Sequence, residues 1–418
     1  MRLARVRLVG VGPFDNVEVP FCDELSAPRA VTCVTGSGGV GKTTLLAALG
    51  STRPGYCVAQ HRRRSPPYAS SSPSGSPPSS SPAGAPPSSS HPDVPSAGSP
   101  PGMPTTGLLT GAPSARLPAG TPSAGAPAVG TPFVVADWLP SDDDPRRPHP
   151  VRFVSPNASP EEEGEEGALL RRREQALFER RAAEGGFVLV AFSAARWFSR
   201  SPLVLSAPDR ALGRYDVRSP LSFDDATRAD LTRETKQALA YAGVGAALYA
   251  RGAPGAQRPP EARARAEAFE AAMVEVVGKL VRLAGFDYES VDPLSLEPTF
   301  RRPRGEAAPF DDLPTGVRHL ASFGALTLRA LYAAYPQRDP RSAEAVVLID
   351  EAGLHLEASA QRALAPTLRS VLPRVQWVLT GSSPALAEGC EADEVLALRR
   401  LPASPKVELF AGELATLH

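Results

Sequence analysis

The sequence is poor in several features that would settle its class early. It has four cysteines in 418 residues, Cys22, Cys33, Cys57 and Cys390, and no CxxC pair among them. Such scattered thiols give no disulfide framework. Only Cys57 has a histidine nearby, His61, and two ligands do not make a zinc site. The thiols therefore read as core residues. Formal net charge is +0, so charge gives no support to a dedicated nucleic-acid binder, although a local basic strip stays open. No stretch reaches the roughly 18 to 20 apolar residues that span a membrane. Met1 to Arg5 lead into an alternating pattern and not an apolar leader. The expectation is a cytoplasmic protein with no membrane partner, and no internal repeat is evident.

What is present divides the chain unevenly. Hydrophobic residues make up 42% of it, enough for a substantial core, while the 46 prolines are concentrated. Residues 65–131 are nearly all Pro, Ser, Ala and Gly, too poor in apolar surface to offset their ordering entropy, so this insertion is expected to be disordered. Before it, residues 1–64 read as the first half of a nucleotide-binding core. Arg5 to Val9 and Asn16 to Phe21 alternate around the Gly10 to Pro13 turn, Ala30 to Val34 is a short β-branched run, and Thr44 to Leu49 suits a helix stopped by Gly50. Residues 132–225 offer a strand at Phe133 to Leu139 and an exposed helix at Glu161 to Glu184. That helix's basic run, Arg171, Arg172, Arg173, Arg180 and Arg181, reads as a solvated face before a phosphodiester contact. A buried strand follows at Phe187 to Phe192.

Residues 226–300 read as a helical lobe, with helices near Ala226 to Tyr249 and Pro260 to Ala284. Residues 301–418 return to α/β character. A helix spans Val317 to Tyr335, and apolar strands at Ala345 to Ile349 and Val375 to Leu379 flank a helix from Ala358 to Leu372, with a kink expected at Pro366. A last strand pair is expected at Glu394 to Leu398 and Val407 to Phe410. The fold class implied is α/β, a mixed sheet flanked by helices with the helical lobe inserted between its halves.

Two patterns carry chemistry. Gly36-Ser37-Gly38-Gly39-Val40-Gly41-Lys42-Thr43 fits the phosphate-loop pattern G-x-x-x-x-G-K-[ST] and stands between a strand and a helix, the context it requires. Without side chains to block approach, the backbone amides of Gly38 to Lys42 can face phosphate oxygens. Lys42 would neutralise the β- and γ-phosphates of ATP and Thr43 would ligate Mg²⁺. The plain alternative, a glycine-rich turn followed by chance by Lys-Thr, does not account for the flanking elements. The second pattern is Val346-Val347-Leu348-Ile349-Asp350-Glu351, a buried strand ending in two acids at the carboxyl edge of a sheet. Asp350 would hold the metal, and Glu351 would orient and deprotonate the attacking water. Alone, such a strand end is as often a solvated pair of charges; beside the glycine loop it points to Mg-ATP. His319, His355 and Arg196 are weaker candidates. A lone histidine is more often structural, and Arg196 reads as a surface arginine more readily than as a phosphate contact.

Four stretches together make the chain resemble the ATP-binding-cassette-type ATPases of the RecF, SMC and OLD-like group, placed broadly among AAA family ATPases. Leu3 to Phe21, with Gly12-Pro13-Phe14 at its turn, is similar to the group's opening hairpin. Gly36 to Thr44 is the Walker A motif. Leu313-Pro314-Thr315-Gly316-Val317-Arg318-His319-Leu320 stands where the signature motif does, and Ile349-Asp350-Glu351-Ala352-Gly353-Leu354-His355-Leu356 resembles Walker B with its D-loop. The resemblance implies a P-loop NTPase with an ABC-type head. It also implies an ATP-dependent homodimer in which Thr315 and Gly316 reach the nucleotide of a partner subunit. The switch motif's histidine position holds Ser382 in Thr380-Gly381-Ser382-Ser383-Pro384, and the signature serine position holds Pro314. The departures imply either slow turnover or a partial substitution by His355. No Q-loop glutamine is assigned; Gln60 lies near the expected region.

The implied activity is Mg-dependent ATP hydrolysis driving a conformational cycle. The alternative is a nucleotide-dependent binding or switch protein with little hydrolysis, and a transporter's ATPase subunit ranks below both. The resemblance leaves DNA repair, genome maintenance and phage defence open, though net charge gives a DNA partner no support.

Overall fold

The computed structural model describes residues 1–51, 132–141, 150–155, 164–182, 187–204, 230–250, 260–402 and 406–416. Cys57, Gln60, His61 and the Pro/Ser-rich segment lie outside them. Strands β1 (Arg2–Val11), β2 (Phe14–Pro20) and β3 (Val31–Thr35) and helix α1 (Lys42–Gly50) come before that segment. After it come β4 (Phe133–Leu139), β5 (Val151–Val154), α2 (Glu165–Ala182) and β6 (Leu189–Phe192). Two helices, α3 (Thr232–Ala250) and α4 (Pro260–Arg282), then lead to short strands β7 (Asp287–Val291), β8 (Pro298–Arg301) and β9 (Ala307–Pro309). Next are α5 (Thr315–Ala334), β10 (Ala345–Ile349), α6 (Ala358–Val371) and β11 (Val375–Gly381). Last come α7 (Pro384–Glu388), β12 (Val395–Arg400), β13 (Val407–Ala411) and α8 (Glu413–Thr416).

The apolar runs assemble into one six-stranded sheet in the order β13-β12-β3-β11-β10-β6. Every neighbouring pair is parallel except β12 with β13. Both faces are covered, which is why β10 reads as a continuous apolar run and not as an alternation. Ala345, Val347 and Ile349 join a cluster with Phe269, Val276 and Phe323 of the helices. Val346 and Leu348 join one with Leu45 and Leu49 of α1 and with Leu3, Phe14 and Trp138 of the N-terminal strands. The arrangement is a mixed sheet flanked by helices, as expected for a P-loop NTPase with an ABC-type head. The glycine-loop strand β3 and the acid-bearing strand β10 both lie next to β11, so two motifs far apart in sequence share one sheet edge.

The opening hairpin belongs to a second, antiparallel sheet ordered β2-β1-β4-β5. A bulge between Leu3 and Arg5 shifts the alternation by one residue, so that Leu3 and Val6 both face inward. On the other face, Arg5 and Arg152 converge on the carboxylate of Asp137 at 2.5 and 2.8 Å. The strands β7, β8 and β9 form a small antiparallel sheet of their own, which the sequence does not announce. Strands of three to five residues are too short to show a period.

One buried side chain ties the two larger sheets together. Gln376 of β11 accepts from the Leu3 amide at 2.7 Å and donates to the carbonyls of Leu3 at 3.0 Å and Phe21 at 3.3 Å. Replacing it with leucine would leave buried backbone groups unpaired. Gln376→Leu is expected to cost about 2–4 kcal/mol of unfolding free energy, measurable as a lower urea midpoint with an unchanged slope.

The helix expected across Pro366 is present, α6 running on to Val371. The Arg362 carbonyl, which a proline four residues on cannot bond, faces the backbone of Gly389. In α2, Arg171 is buried although Arg172 and Arg173 are exposed. Among the described residues no helix is long and apolar enough to cross a membrane.

Candidate functional site

The glycine loop spans the gap between the end of β3 and the start of α1. Gly41 has φ +102°, and a Cβ there would meet Pro13 Cγ at 2.6 Å and Phe14 Cζ at 2.7 Å. Only glycine satisfies both the left-handed backbone and that close approach. The turn of the opening hairpin therefore packs against the glycine loop and supports it from below. Ser37, Gly38 and Gly39 are exposed, while Val40 is buried and anchors the loop in the core. Of Val40, then, only the backbone is available to a ligand. The side chain of Thr44 lies against Gly12.

Lys42 is 6% exposed and draws the two halves of the site together. Its Nζ donates to Gly36 O at 2.7 Å, Ser37 O at 3.3 Å and Ser382 Oγ at 2.9 Å. It also pairs with Glu351 Oε1 at 3.3 Å. Ser382, at the end of β11, donates in turn to Glu351 Oε1 at 3.0 Å. The hydroxyl at the switch position thus bridges the lysine and the acid.

Beside this cluster stands a second one. Thr43 Oγ1 donates to Asp350 Oδ2 at 2.8 Å across 307 positions of sequence. Thr380 Oγ1 donates to Asp350 Oδ1 at 2.6 Å and accepts from the Glu351 amide at 2.9 Å. Asp350 is fully buried, and both its oxygens are satisfied by hydroxyls. Among the described residues no group of three or more His, Cys, Asp or Glu side chains converges. One carboxylate and one adjacent hydroxyl, with the remaining ligands coming from phosphate and water, suit Mg²⁺ better than a metal held by protein alone. Thr43 and Asp350 are the residues that would hold it. Sequence reading missed Thr380, because its role depends on β11 lying beside β10.

The backbone after Asp350 is unusual. Glu351 has φ 46° and His355 φ 63°, left-handed values that non-glycine residues adopt only where their surroundings hold them there. Here the surroundings hold several of the turn's backbone groups. The Ala352 amide donates to Thr380 O at 2.8 Å. Gln361 Nε2 donates to Gly353 O and Leu356 O at 3.1 and 2.9 Å. His319 Nδ1 lies 3.3 Å from Leu354 O. His319 is fully buried, and burial, with the nearby Arg196 charge, lowers its pKa to about 3. The ring is neutral, so the bond to Leu354 O is donated by Nδ1–H.

Arg196 is the main correction to the sequence reading. It is not a surface arginine: it is 5% exposed, at the carboxyl end of β6, the edge strand beside β10. Its Nη1 donates to Asp350 O at 2.5 Å and Ser193 O at 2.9 Å, and its Nη2 to Glu351 O at 2.8 Å. Burial lowers its pKa to about 10, against the attraction of Asp350 and Glu351, which leaves it charged near neutral pH.

The remaining expected residues lie elsewhere. Thr315 and Gly316 open helix α5, where a Cβ on Gly316 would meet His355 O at 2.3 Å. Among the described residues neither makes a hydrogen bond to the glycine loop. His355 is exposed, its ring 5.5 Å from that of His319 and not bonded to Lys42, Glu351 or Ser382.

No family model and no curated protein matches the sequence. Among solved structures, the SMC head domain from Thermotoga maritima is 13% identical, with a TM-score of 0.40 over 99% of this chain and 100% of that one. An Smc head domain with an extended coiled coil from Pyrococcus furiosus, bound to the C-terminal domain of ScpA, is also 13% identical. Its TM-score is 0.43 over 98% of this chain and 96% of that one. The likeness to SMC-type heads expected from the motifs is thus found. At such low values it adds nothing to what the strand order and the loop geometry establish.

Proposed function

We propose that this chain is a cytoplasmic ATPase that binds Mg-ATP on the glycine loop and hydrolyses it slowly. The observation that carries this reading is the meeting of Lys42, Ser382 and Glu351 in one cluster, with Thr43 and Asp350 bonded directly beside it. Mg²⁺, when bound, would neutralise charge on the β- and γ-phosphates. The chain's own residues do the rest. Lys42 presents its ammonium to phosphate oxygens, which compete for it with Glu351 and the loop carbonyls. Glu351 orients a water and accepts its proton. Ser382 positions both.

Dimerisation is part of the proposal. Gly316 packs on His355 and Leu356, and among the described residues neither it nor Thr315 bonds the glycine loop, which leaves both for a role in completing the site of a second copy. A second reading, a nucleotide switch with little turnover, is favoured by one observation. Ser382 offers a neutral hydroxyl where a histidine would bring a titratable group.

Phosphate release, followed with and without single- and double-stranded DNA and with Lys42→Ala as background, tests both readings. Release above background, raised severalfold by DNA, is expected if hydrolysis drives a cycle on DNA. Tight ATP binding with no release above background would sink the hydrolysis reading and leave the switch.

A further inference from the structure

We infer that Arg196 is a positioning residue for Glu351, a guanidinium clamp that holds the acid's backbone in the left-handed conformation from which its carboxylate reaches Lys42 and Ser382. This inference rests on the hydrolysis reading above. The carbonyls of Asp350 and Glu351 bracket the point where β10 ends and the chain turns over. Two carbonyls this close repel each other and normally face solvent or separate partners. Arg196 satisfies both at once, and Ser193 O as well, with a planar fork of donors that lysine cannot reproduce.

The clamp itself is rigidly placed. The Arg196 amide donates to Ser193 O at 3.2 Å, and its guanidinium carbon lies 5.2 Å from the centroid of the Phe323 ring. The following residues are tied to the helical region, with the Leu231 amide on Trp197 O at 3.1 Å and Thr232 Oγ1 on Ser199 O at 3.0 Å. On the opposite side of the turn, Thr380 bonds the Glu351 amide. Residue 351 is therefore gripped through its N–H by β11 and through its C=O by Arg196 together with the Leu354 amide, which donates to it at 3.0 Å. With both backbone groups fixed and φ at 46°, the side chain projects from one direction only. Hydrolysis depends on where that carboxylate stands, whereas nucleotide binding depends on the glycine loop, Lys42 and the Asp350 carboxylate; Arg196 touches only the main-chain carbonyl of Asp350, whose carboxylate is held separately by Thr43 and Thr380. Losing the clamp should thus separate the two.

The test uses the full chain as Arg196→Met and Arg196→Lys, each alone and combined with Glu351→Gln, measuring Mg-ATP affinity, steady-state phosphate release and thermal midpoint. Arg196→Met is expected to lower kcat roughly 100-fold while leaving the ATP Kd within about threefold of wild type, because misplacing a catalytic group by about 1 Å costs that much. Arg196→Lys keeps the charge and one bond, and should lose about tenfold. In the Glu351→Gln background neither change should lower the residual rate further, since groups that act as a unit are not additive. A merely structural role would move Kd, kcat and thermal midpoint together and would lower the residual rate of the double variant as well; that pattern overturns the inference. So does unchanged kcat in Arg196→Met. If the wild type releases no phosphate above the Lys42→Ala background, the hydrolysis reading falls and this one with it. Wild-type turnover with an unaffected Arg196 variant sinks the clamp alone.

Discussion

Lys42→Ala is expected to weaken Mg-ATP binding by roughly 100-fold or more, because a preorganised charged donor aimed at phosphate oxygens is worth about 3 kcal/mol or more in a partly dry site. The lysine is nearly enclosed and already desolvated, so little reorganisation precedes its use. Its present partners are two loop carbonyls, a hydroxyl and one carboxylate. Alanine would remove the one cation that, among the described residues, bonds both the glycine loop and Glu351. Arginine would keep the charge, but its planar head is bulkier and cannot sit among the same four oxygens. Lys42→Arg should therefore recover little. Fluorescence titration with a labelled ATP analogue reads the change directly, and a wild-type Kd in Lys42→Ala would refute the assignment.

The second large effect is expected at Glu351. Glu351→Gln keeps the shape and the bond from Ser382 but removes the proton acceptor, so turnover should fall about 100- to 10,000-fold while affinity is kept or improves. Trapped nucleotide should then raise the dimer fraction, if closing of two heads is what ATP drives. Sedimentation of Glu351→Gln with Mg-ATP is the measurement. A monomer under every nucleotide condition would rule out the closing-head model without touching ATP binding.

Much of this site is legible in the sequence because its parts obey local rules. The glycine loop declares itself by spacing, and β10 declares itself as a run of five apolar residues that only a sheet covered on both faces would bury. Ser382 could be placed because the stretch after an apolar strand resembles the switch motif of the ABC-type group. What escaped the reading depends on register between strands distant in sequence. Arg196 is one arginine after a short apolar run, indistinguishable from a solvated residue until β6 pairs with β10 and brings it under two carbonyls. Thr380 and Gln376 are ordinary polar residues of a strand until β11 is seen between β3 and β10. The left-handed backbone of Glu351 leaves no trace in composition, since glutamate has no preference for it. The same holds for Gly316, whose approach to His355 O is a contact between helix and turn that no motif spacing encodes.

The central claim is that the glycine loop and the acids 307 positions away form one Mg-ATP site. Calorimetric titration of the full chain with a slowly hydrolysed ATP analogue, with Mg²⁺ and then with excess chelator, tests it most directly. Saturable binding of one nucleotide per chain, weakened by chelator and lost in both Lys42→Ala and Asp350→Ala, is the predicted result. No heat of binding up to millimolar nucleotide, or binding indifferent to both substitutions, would contradict it.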